Sequence, residues 1–470
     1  SIMSVDFGLA GGRQLLASAG QDGGVKVWRL GAGAGAGRAA APASCQWLAT
    51  LDEHLAPVNC VRWSPDCRLI ASCDADAIVI LWAPGPGGAH GGFKGAAAAG
   101  PEPWHRRWLL RGHGGEICDL SWHPGGHPRF ALASCSHDGS VRLWDPALGR
   151  GTAQLRDPAG GLVKGVAFDP LGQYLAAISD APGAGGHPRA MLWELPEEGA
   201  APGAGAGGAE AEGGAGGWRL VRLCEDPWSN PAPLSTAAYF RRPSWDPLGQ
   251  ALAFPYGEAV RCELSMPRYF AALFLRGAWA RPKLYRGHVQ RVSAVRFAPA
   301  VFGPPGEPAA ASVAFAVASQ DGVMSVWLSS QPAPVAVLAD LVDENCIITD
   351  LSWTADGRAL AFASNDGSVG LVGLCWGEAL ASGRRWTAAD LHHWRWRRHS
   401  EVMQPCSDLP LDGHHLAAGA AEGPEGAPPA CAAEPRSAKR PPPLPGGPQG
   451  AFVRRLRRRA GAAPGDAGAG

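Results

Sequence analysis

The chain has 470 residues, of which 46% are hydrophobic, so it carries enough apolar material for a large core. Its 42 Lys and Arg residues balance its 42 Asp and Glu residues, which excludes a strongly basic or acidic protein. The charges are unevenly distributed: residues 1–375 hold 29 basic and 33 acidic residues, and residues 376–470 hold 13 and 9. This asymmetry predicts a globular body followed by a basic arm.

The cysteines and the apolar runs restrict the class of protein further. None of the twelve cysteines forms a C-x-x-C pair, and most lie in strand-like runs, as Cys60, Cys73, Cys118 and Cys135 do. This predicts reduced, buried thiols in an intracellular protein. No apolar run approaches the about 20 residues of a membrane-spanning helix, so we expect no membrane partner.

Low-complexity tracts rich in Ala, Gly and Pro interrupt the body near residues 31–44, 84–103 and 199–217. Such tracts cannot bury enough apolar surface to offset the chain entropy lost on ordering. We therefore expect three loop insertions without a function of their own.

A short pattern repeats between these tracts: a strand, a turn of the type Trp/Phe-x-Pro, and a second strand. After a weaker first copy, SVDF at 4–7, it occurs as VRWSPD at 61–66, LSWHP at 120–124, VAFDP at 166–170, SWDP at 244–247, VRFAP at 295–299 and LSWTAD at 351–356. Seven copies of a unit of about 40–45 residues indicate a repeat architecture, with the insertions accounting for longer spacings.

The second half of the unit is a turn Asp followed six residues later by Trp. This spacing occurs at Asp22 and Trp28, Asp76 and Trp82, Asp138 and Trp144, and Asp321 and Trp327; Asp366 has Val372 at that offset, and Asp180 reaches Trp193 only across an insertion. The Asp fits a tight turn between two strands, and period-2 alternation then places Trp on a fixed face of the following strand.

A histidine precedes the first strand of three units: His54, His113 and His288. In WD repeats this His, the turn Asp and the Trp join one hydrogen-bond network across the blade. Because the three residues recur with the repeat, we interpret them as a structural network rather than as acid–base catalysts. No Gly-rich loop, nucleophile motif or carboxylate pair suggests a catalytic site, so we expect neither an enzyme nor a cofactor.

These patterns predict an all-β fold, a seven-bladed WD40 β-propeller over residues 1–375. A single blade cannot bury both of its faces, whereas a closed ring buries them against neighbouring blades. The fifth blade, between Trp218 and Ala280, is degenerate because it lacks a turn Asp with a following Trp. The outer strand of the seventh blade is missing from the pattern, which predicts a weak seam between the first and seventh blades.

Residues 376–470 are expected to form a mostly disordered tail with a basic segment at 436–459. The segment WRWRRH at 394–399 favours a short helix docked on the propeller, with nucleic-acid contact as the alternative. The pairs at 392–393 and 414–415 are histidines without companion ligands at metal spacing, so no metal site is predicted.

Several segments resemble the N-terminal propeller of the HIRA family of histone chaperones. They are HLAPVNCVRWS at 54–64, GLVKGVAFDPLGQYLA at 161–176, RGHVQRVSAVRFAPAVF at 286–302 and the stretch 315–369. The resemblance covers residues 1–373 in order. It implies a nuclear protein-interaction scaffold in replication-independent deposition of histones H3–H4 and in chromatin-based transcriptional control.

The resemblance also implies partners. In that family a basic segment after the propeller binds a co-chaperone of the anti-silencing-function type, which carries H3–H4, by adding a strand to a sheet edge. The candidates here are Arg454, Arg455, Leu456 and Arg457. The other implied partners are further subunits of the chaperone complex and chromatin, including indirect contact with DNA.

Two other interpretations stay open. DPLGQYLA at 169–176 also suits the propeller subunit of the replication-coupled chromatin assembly factor. A propeller that recruits substrates to a ubiquitin ligase is the rival from a different functional class, since the blade core is shared by many scaffolds.

Overall fold

The computed structural model describes residues 1–31, 44–85, 101–127, 130–180, 188–195, 218–224, 240–259, 268–302, 312–343, 345–374, 392–397 and 404–405. All of them lie within one compact unit, Ser1–Ala421. The predicted tail, including the basic segment 436–459 and its residues Arg454, Arg455, Leu456 and Arg457, lies outside the described residues. Within the described part there is no helix long and apolar enough to cross a membrane.

The described strands form seven antiparallel sheets, each built from strands that follow one another in sequence. The first three blades contain β1 (Ile2–Ala10), β2 (Arg13–Gly20), β3 (Val25–Gly31) and β4 (Ser44–Leu51); β5 (Val58–Trp63), β6 (Ile70–Asp74), β7 (Ile78–Pro84) and β8 (Trp104–Arg111); and β9 (Ile117–His127), β10 (Phe130–Ser136), β11 (Ser140–Asp145) and β12 (Arg150–Arg156).

The other four blades continue the same order. They contain β13 (Leu162–Phe168), β14 (Tyr174–Asp180), β15 (Pro188–Glu194) and β16 (Arg219–Cys224); β17 (Ser244–Trp245), β18 (Ala251–Ala259), β19 (Arg268–Leu275) and β20 (Ala278–His288); β21 (Val292–Phe302), β22 (Ser312–Ser319), β23 (Met324–Leu328) and β24 (Ala336–Leu338); and β25 (Ile348–Trp353), β26 (Ala359–Ser364), β27 (Val369–Gly373), β28 (His392–Arg397) and β29 (Gln404–Pro405).

The first strand of every blade lies innermost, and these strands contact one another around a ring that closes between β25 and β1. The all-β, seven-bladed propeller predicted from the repeats is therefore confirmed. Chain direction alternates within each blade. Connections that enter a blade or join its second and third strands consequently emerge on one face of the ring, the upper face, and the remaining connections emerge on the lower face.

The core consists of seven apolar clusters, one at each boundary between neighbouring blades. At the boundary of the first and second blades, for example, Val27 and Leu48 pack with Val61 and Trp82. Each face of a blade is thus buried against the neighbouring blade. Because both faces are buried, the strand sequences are almost continuously apolar.

The fifth blade is a complete four-stranded sheet despite its degenerate sequence. Its first strand, β17, has only two residues, but β19 and β20 pair over most of their length. This blade lacks the turn Asp and the Trp of the repeat. Its apolar contact with the fourth blade is instead made by Phe254, Phe270 and Phe274. Aromatic burial at this site takes the place of the usual polar network.

The seventh blade corrects two expectations. Its outer position is occupied by β28, which pairs antiparallel with β27, and β29 adds a fifth strand. The outer strand is therefore present, and residues 392–397 form a strand rather than the expected helix. The weak seam was expected because this outer strand was thought to be missing, and that assumption was wrong.

The seam between the first and seventh blades is closed by packing and by side-chain hydrogen bonds. Ile2, Val5 and Trp28 share an apolar cluster with Ala361 and Leu371 of the seventh blade. In addition, the Thr349 hydroxyl donates to the Ile2 carbonyl at 2.7 Å, and the Phe7 N–H donates to the Ser352 hydroxyl at 3.0 Å.

The three predicted insertions fall largely on residues outside the described part of the chain, 32–43, 86–100 and 196–217. The strands on either side show where they attach. Each one joins the third and fourth strands of its blade, β3 to β4, β7 to β8 and β15 to β16. All three attachment points therefore lie on the lower face.

Candidate functional site

The third blade contains the full polar network that the repeat predicts. His113 Nδ1 lies 2.9 Å from Asp138 Oδ2, and His113 Nε2 lies 2.8 Å from the Ser134 hydroxyl. The Trp144 indole N–H donates to the same hydroxyl at 2.8 Å. Asp138 Oδ1 also accepts the Ser140 N–H, so the carboxylate joins the turn to the network.

Burial disfavours the charged form of Asp138, but hydrogen bonds from His113, Ser140 and Gly114 outweigh that effect and hold its pKa below its usual range. A carboxylate fixed in this way accepts hydrogen bonds and does not exchange protons near neutral pH. Its geometry fits a structural role and gives no support to acid–base chemistry.

The second blade has the same arrangement with a different carboxylate. His54 Nδ1 lies 2.7 Å from Asp74 Oδ2, and both His54 and Trp82 bond to the Ser72 hydroxyl. Asp76, chosen from its spacing to Trp82, is outside this network and donates its N–H to Asp74 Oδ1 at 3.0 Å. The prediction for Asp76 was wrong because two aspartates stand in this turn and spacing alone does not separate them.

The first and seventh blades keep parts of the network. Trp28 donates to the Ser18 hydroxyl at 2.9 Å, and Asp22 accepts the Gly24 N–H at 3.2 Å. In the seventh blade Asp366 accepts the Ser368 N–H at 2.7 Å, and Val372 stands in the Trp position. Both blades therefore keep the turn Asp.

In the sixth blade the serine of the network comes from a different strand of the blade. The Ser325 hydroxyl, on the same strand as Trp327, accepts the Trp327 indole N–H and lies 2.8 Å from His288 Nε2. His288 Nδ1 has no hydrogen-bond partner within the described residues. Asp321 accepts the Val323 N–H of its own turn. Burial lowers the pKa of His288 to about 4, and Asp321 opposes this only in part.

In the fourth blade an aspartate takes the position of the histidine. Asp157 accepts the Ser179 hydroxyl at 2.7 Å and the Gly161 N–H at 2.9 Å. Asp180, which the sequence aligns with the turn Asp, instead pairs with Lys164 at 2.6 Å and Arg241 at 2.7 Å.

The serine members were missed in the sequence, although a signal for them exists. Ser18, Ser72 and Ser134 each stand ten residues before the Trp of their blade. At ten residues before Trp327 the chain has Val317, and the hydroxyl comes from Ser325 instead.

A second polar cluster, also missed in the sequence, fills the middle of the ring. Asp350 pairs with Arg62 at 2.9 Å, Arg296 at 3.1 Å and Arg242 at 3.4 Å. The Ser4 hydroxyl donates to the same carboxylate at 2.7 Å. One aspartate of the seventh blade thus contacts the first, second and sixth blades and the segment that enters the fifth.

Arg242 is the most enclosed cation of this central cluster, with a side chain only 1% exposed. It also lies 3.3 Å from Asp119 of the third blade and donates to the carbonyls of Met3 and Thr349. Burial works against the charged form of Asp350, but Arg242, Arg62 and Arg296 outweigh it and keep the pKa of Asp350 well below its usual range. Asp350 is therefore ionised and serves as the shared counter-charge of three arginines.

Metal ligation has no support among the described residues, which contain no group of three or more His, Cys, Asp or Glu side chains arranged to hold an ion. Cys60, Cys73, Cys118 and Cys135 are buried and free of disulfides, as their strand positions predict.

The fold and its networks define a WD-type β-propeller, and comparison with known proteins gives its family. Residues 1–182 match the model of the CAF1B/HIR1 beta-propeller domain. Protein HIR1 of Mycosarcoma maydis is 30% identical over 362 residues, covering 76% of this chain and 31% of that protein. Protein HIR1 of Cryptococcus neoformans is 30% identical over 325 residues, and Protein hir1 of Schizosaccharomyces pombe is 27% identical over 327, each covering 68% of this chain and about a third of the relative.

The chain belongs to the HIR1/HIRA family. It spans about a third of the length of these curated relatives. The family resemblance inferred from the sequence segments is confirmed.

Replacing Asp138 by Ala should destabilise the protein by about 1–3 kcal/mol, because His113, the Gly114 N–H and two donors of Ser140 lose a partly buried acceptor. Asp76→Ala is the matched control and should cost less than about 0.5 kcal/mol, since that side chain is exposed and outside the network. Chemical denaturation measures both values. Equal effects of the two substitutions would contradict the assignment of the networks.

The free energy of unfolding should fall as the pH is lowered from the pKa of His288 in the unfolded chain to its pKa in the folded protein. The unfolded histidine binds a proton near pH 6.5, whereas the folded one stays neutral down to about pH 4. Protons therefore favour the unfolded state between these values, with a loss of about 1–2 kcal/mol from about pH 7 to about pH 5. Denaturation across this range should show a flatter pH dependence for His288→Gln, and an unchanged slope would refute the role of His288.

Asp350→Asn should destabilise the ring by about 3–5 kcal/mol, because buried Arg242 and the partly buried Arg62 and Arg296 lose their shared counter-charge. Asp356→Asn, on an exposed turn of the same blade, is the control and should change the free energy of unfolding by less than about 0.5 kcal/mol. Thermal and chemical unfolding of the two variants would test this, and similar stabilities would mean that the central cluster does not hold the blades together.

Proposed function

We propose that this chain is the propeller scaffold of a HIR-type histone chaperone, acting in replication-independent deposition of H3–H4 and in chromatin-based transcriptional regulation. The observation that carries the proposal is the similarity to a HIR1 protein over 76% of a chain whose described strands form a seven-bladed ring. The role is one of binding without catalysis, and its site is the nucleus.

The structure supports a scaffold in physical terms. The WD networks and the central cluster occupy the polar side chains inside the ring with bonds to one another. The same networks hold described turns between strands in place, such as the turn that contains Asp138. Rigid elements that display loops are suited to assembling several partners at once.

The basic segment 436–459 is proposed as the recruiting element for a histone-loaded co-chaperone of the anti-silencing-function type. Between these limits the chain has eight basic residues and no acidic one. Val453 and Leu456 flank the pair Arg454 and Arg455, which suits an extended strand that presents cations beside apolar anchors. Other subunits of the complex, and chromatin, are the further proposed partners.

A role as the propeller subunit of the replication-coupled assembly factor is the second candidate. The observation in its favour is the family model itself, which describes the propellers of CAF1B and HIR1 together. Binding to the partner subunits of each complex would separate the two candidates.

The test is a binding titration of the full chain against the co-chaperone loaded with H3–H4. Replacing Arg454, Arg455 and Arg457 by Glu should weaken binding by more than about tenfold, the scale of losing charged anchors at an interface. The matched control replaces Arg436, Lys439 and Arg440 by Glu, with the same change of charge, and should change the affinity less than about twofold.

Three other outcomes would revise the proposal. Equal weakening by both triple variants would show that the segment acts by total charge alone. Binding that survives deletion of 436–459 would move the contact to the propeller. Failure of the folded full chain to bind any H3–H4-loaded chaperone would refute the chaperone role.

A further inference from the structure

Three leucines are exposed on the lower face where the fourth and fifth blades meet. Leu171, Leu248 and Leu275 are 55%, 49% and 53% exposed. Leu171 and Leu248 stand in the turns that join the first two strands of these blades, and Leu275 is the last residue of β19. Single exposed leucines are common on protein surfaces, whereas several close together mark a surface of contact.

Contacts around one glycine show that these leucines lie close together. A Cβ added to Gly249, the residue after Leu248, would lie 3.1 Å from Leu171 Cγ and 3.2 Å from Arg276 Nη2. Arg276 directly follows Leu275, and its Nε–H donates to the Gly249 carbonyl. The two turns and the end of β19 therefore meet at one place. We call the three leucines the leucine patch.

The same turn in other blades shows that the backbone does not require leucine at this position. The second, fourth, fifth and seventh blades form the turn with the same pair of backbone hydrogen bonds. The position of Leu171 and Leu248 is held by Asp66 in the second blade and by Asp356 in the seventh, where the carboxylate caps the turn. In the fourth blade Asp169, at the first position, supplies the cap instead. An exposed apolar side chain here is therefore not needed for the fold, which favours a role in recognition.

A single cation, Arg276, lies among these leucines and is held firmly. Its guanidinium pairs with Asp169 at 2.6 Å and lies over the rings of Tyr174 and Trp245, at 4.8 Å and 5.4 Å from their centroids. The Asp169 side chain is fully buried, whereas the Arg276 side chain is 17% exposed. The charge that reaches the surface at the leucine patch is therefore positive, and its position is fixed before any ligand binds.

Apolar side chains beside a fixed cation select the chemistry of the occupant. Large apolar side chains would bury the leucines, and a neighbouring carboxylate would pair with Arg276. A second copy paired patch to patch is disfavoured, because it would bring two arginines together. The insertion 196–217, attached beside the patch, contains only Pro, Glu, Gly and Ala, and the segment 436–459 is basic. The occupant that fits is therefore a segment of another protein.

We propose that the leucine patch docks a short partner segment that carries large apolar side chains next to an acidic residue. The apolar side chains pack on Leu171, Leu248 and Leu275, and the carboxylate pairs with Arg276. The inference goes beyond the proposed chaperone role, because this contact requires neither histones nor the basic tail. A chain that failed to bind the histone-loaded co-chaperone would still be expected to show it.

The test selects short random peptides, displayed on phage, on the immobilised full chain and in parallel on a test variant. The test variant is Leu171→Gln, Leu248→Gln, which keeps the net charge and places a polar residue where other blades also have one. The control variant, Leu9→Gln, Leu148→Gln, removes leucines of similar exposure, 48% and 55%, from the lower face of the first and third blades. Peptides enriched on the unchanged chain are then synthesised and titrated by fluorescence anisotropy.

The enriched peptides should share large apolar residues next to Asp or Glu. The test variant should bind such a peptide at least about tenfold more weakly, and the control variant should change the affinity less than about twofold. Exchanging the acidic residue of the peptide for Lys should also weaken binding at least about tenfold, since the new charge faces Arg276. Leu275→Gln, which alters neither turn, should weaken binding in the same direction.

Four results would overturn the proposal. They are an absence of enrichment on the folded chain, a consensus that is basic or lacks apolar residues, equal weakening by the test and control variants, and a dimer in sedimentation that only the test variant dissociates. The last result would assign the patch to a second copy. A melting temperature lowered in the test variant and in Leu275→Gln, but not in the control, would likewise overturn it, because the chain itself would then cover the leucines.

Discussion

Every blade of this propeller is a thin sheet with two apolar faces, and neither face is covered by the blade itself. The whole structure depends on the burial of those faces by neighbours. Seven apolar clusters, one at each boundary, show that the condition is met around the full ring. Stability is accordingly shared between adjacent units, and a defect in one blade is transmitted first to the two beside it.

Closure of the ring adds a second constraint, because seven innermost strands bring their polar side chains to a common centre. Asp350 and Asp119 compensate the arginines that converge there, and carbonyl groups of the inner strands accept the remaining donors. Ionised groups in such a position are tolerated only when each has a partner. The centre therefore fixes the relative positions of blades that do not touch through their apolar faces.

The sequence predicted the fold better than it predicted individual contacts. Period and spacing identified seven blades because apolar alternation and turn residues are local properties. The choice between Asp74 and Asp76 failed, since it depends on which of two neighbouring carboxylates faces His54. The central cluster was missed although Asp119, Arg242 and Asp350 each stand three residues before the Trp of their repeat copy. Arg242 and Asp350 are 108 positions apart, and only closure of the ring brings them together. The β28 strand was missed because its pairing with β27 follows a long connection.

The three Ala- and Gly-rich tracts have a practical consequence that follows from their attachment points. Each one spans the gap between the third and fourth strands of a blade, so its ends are held close together by the strand pairing. Lengthening a closed loop costs little, about 0.6 kcal/mol for each doubling. These positions are therefore suited to the insertion of a fluorescent domain or an affinity tag on one face of the ring. The inserted sequence would leave the strand pairing of every blade unchanged.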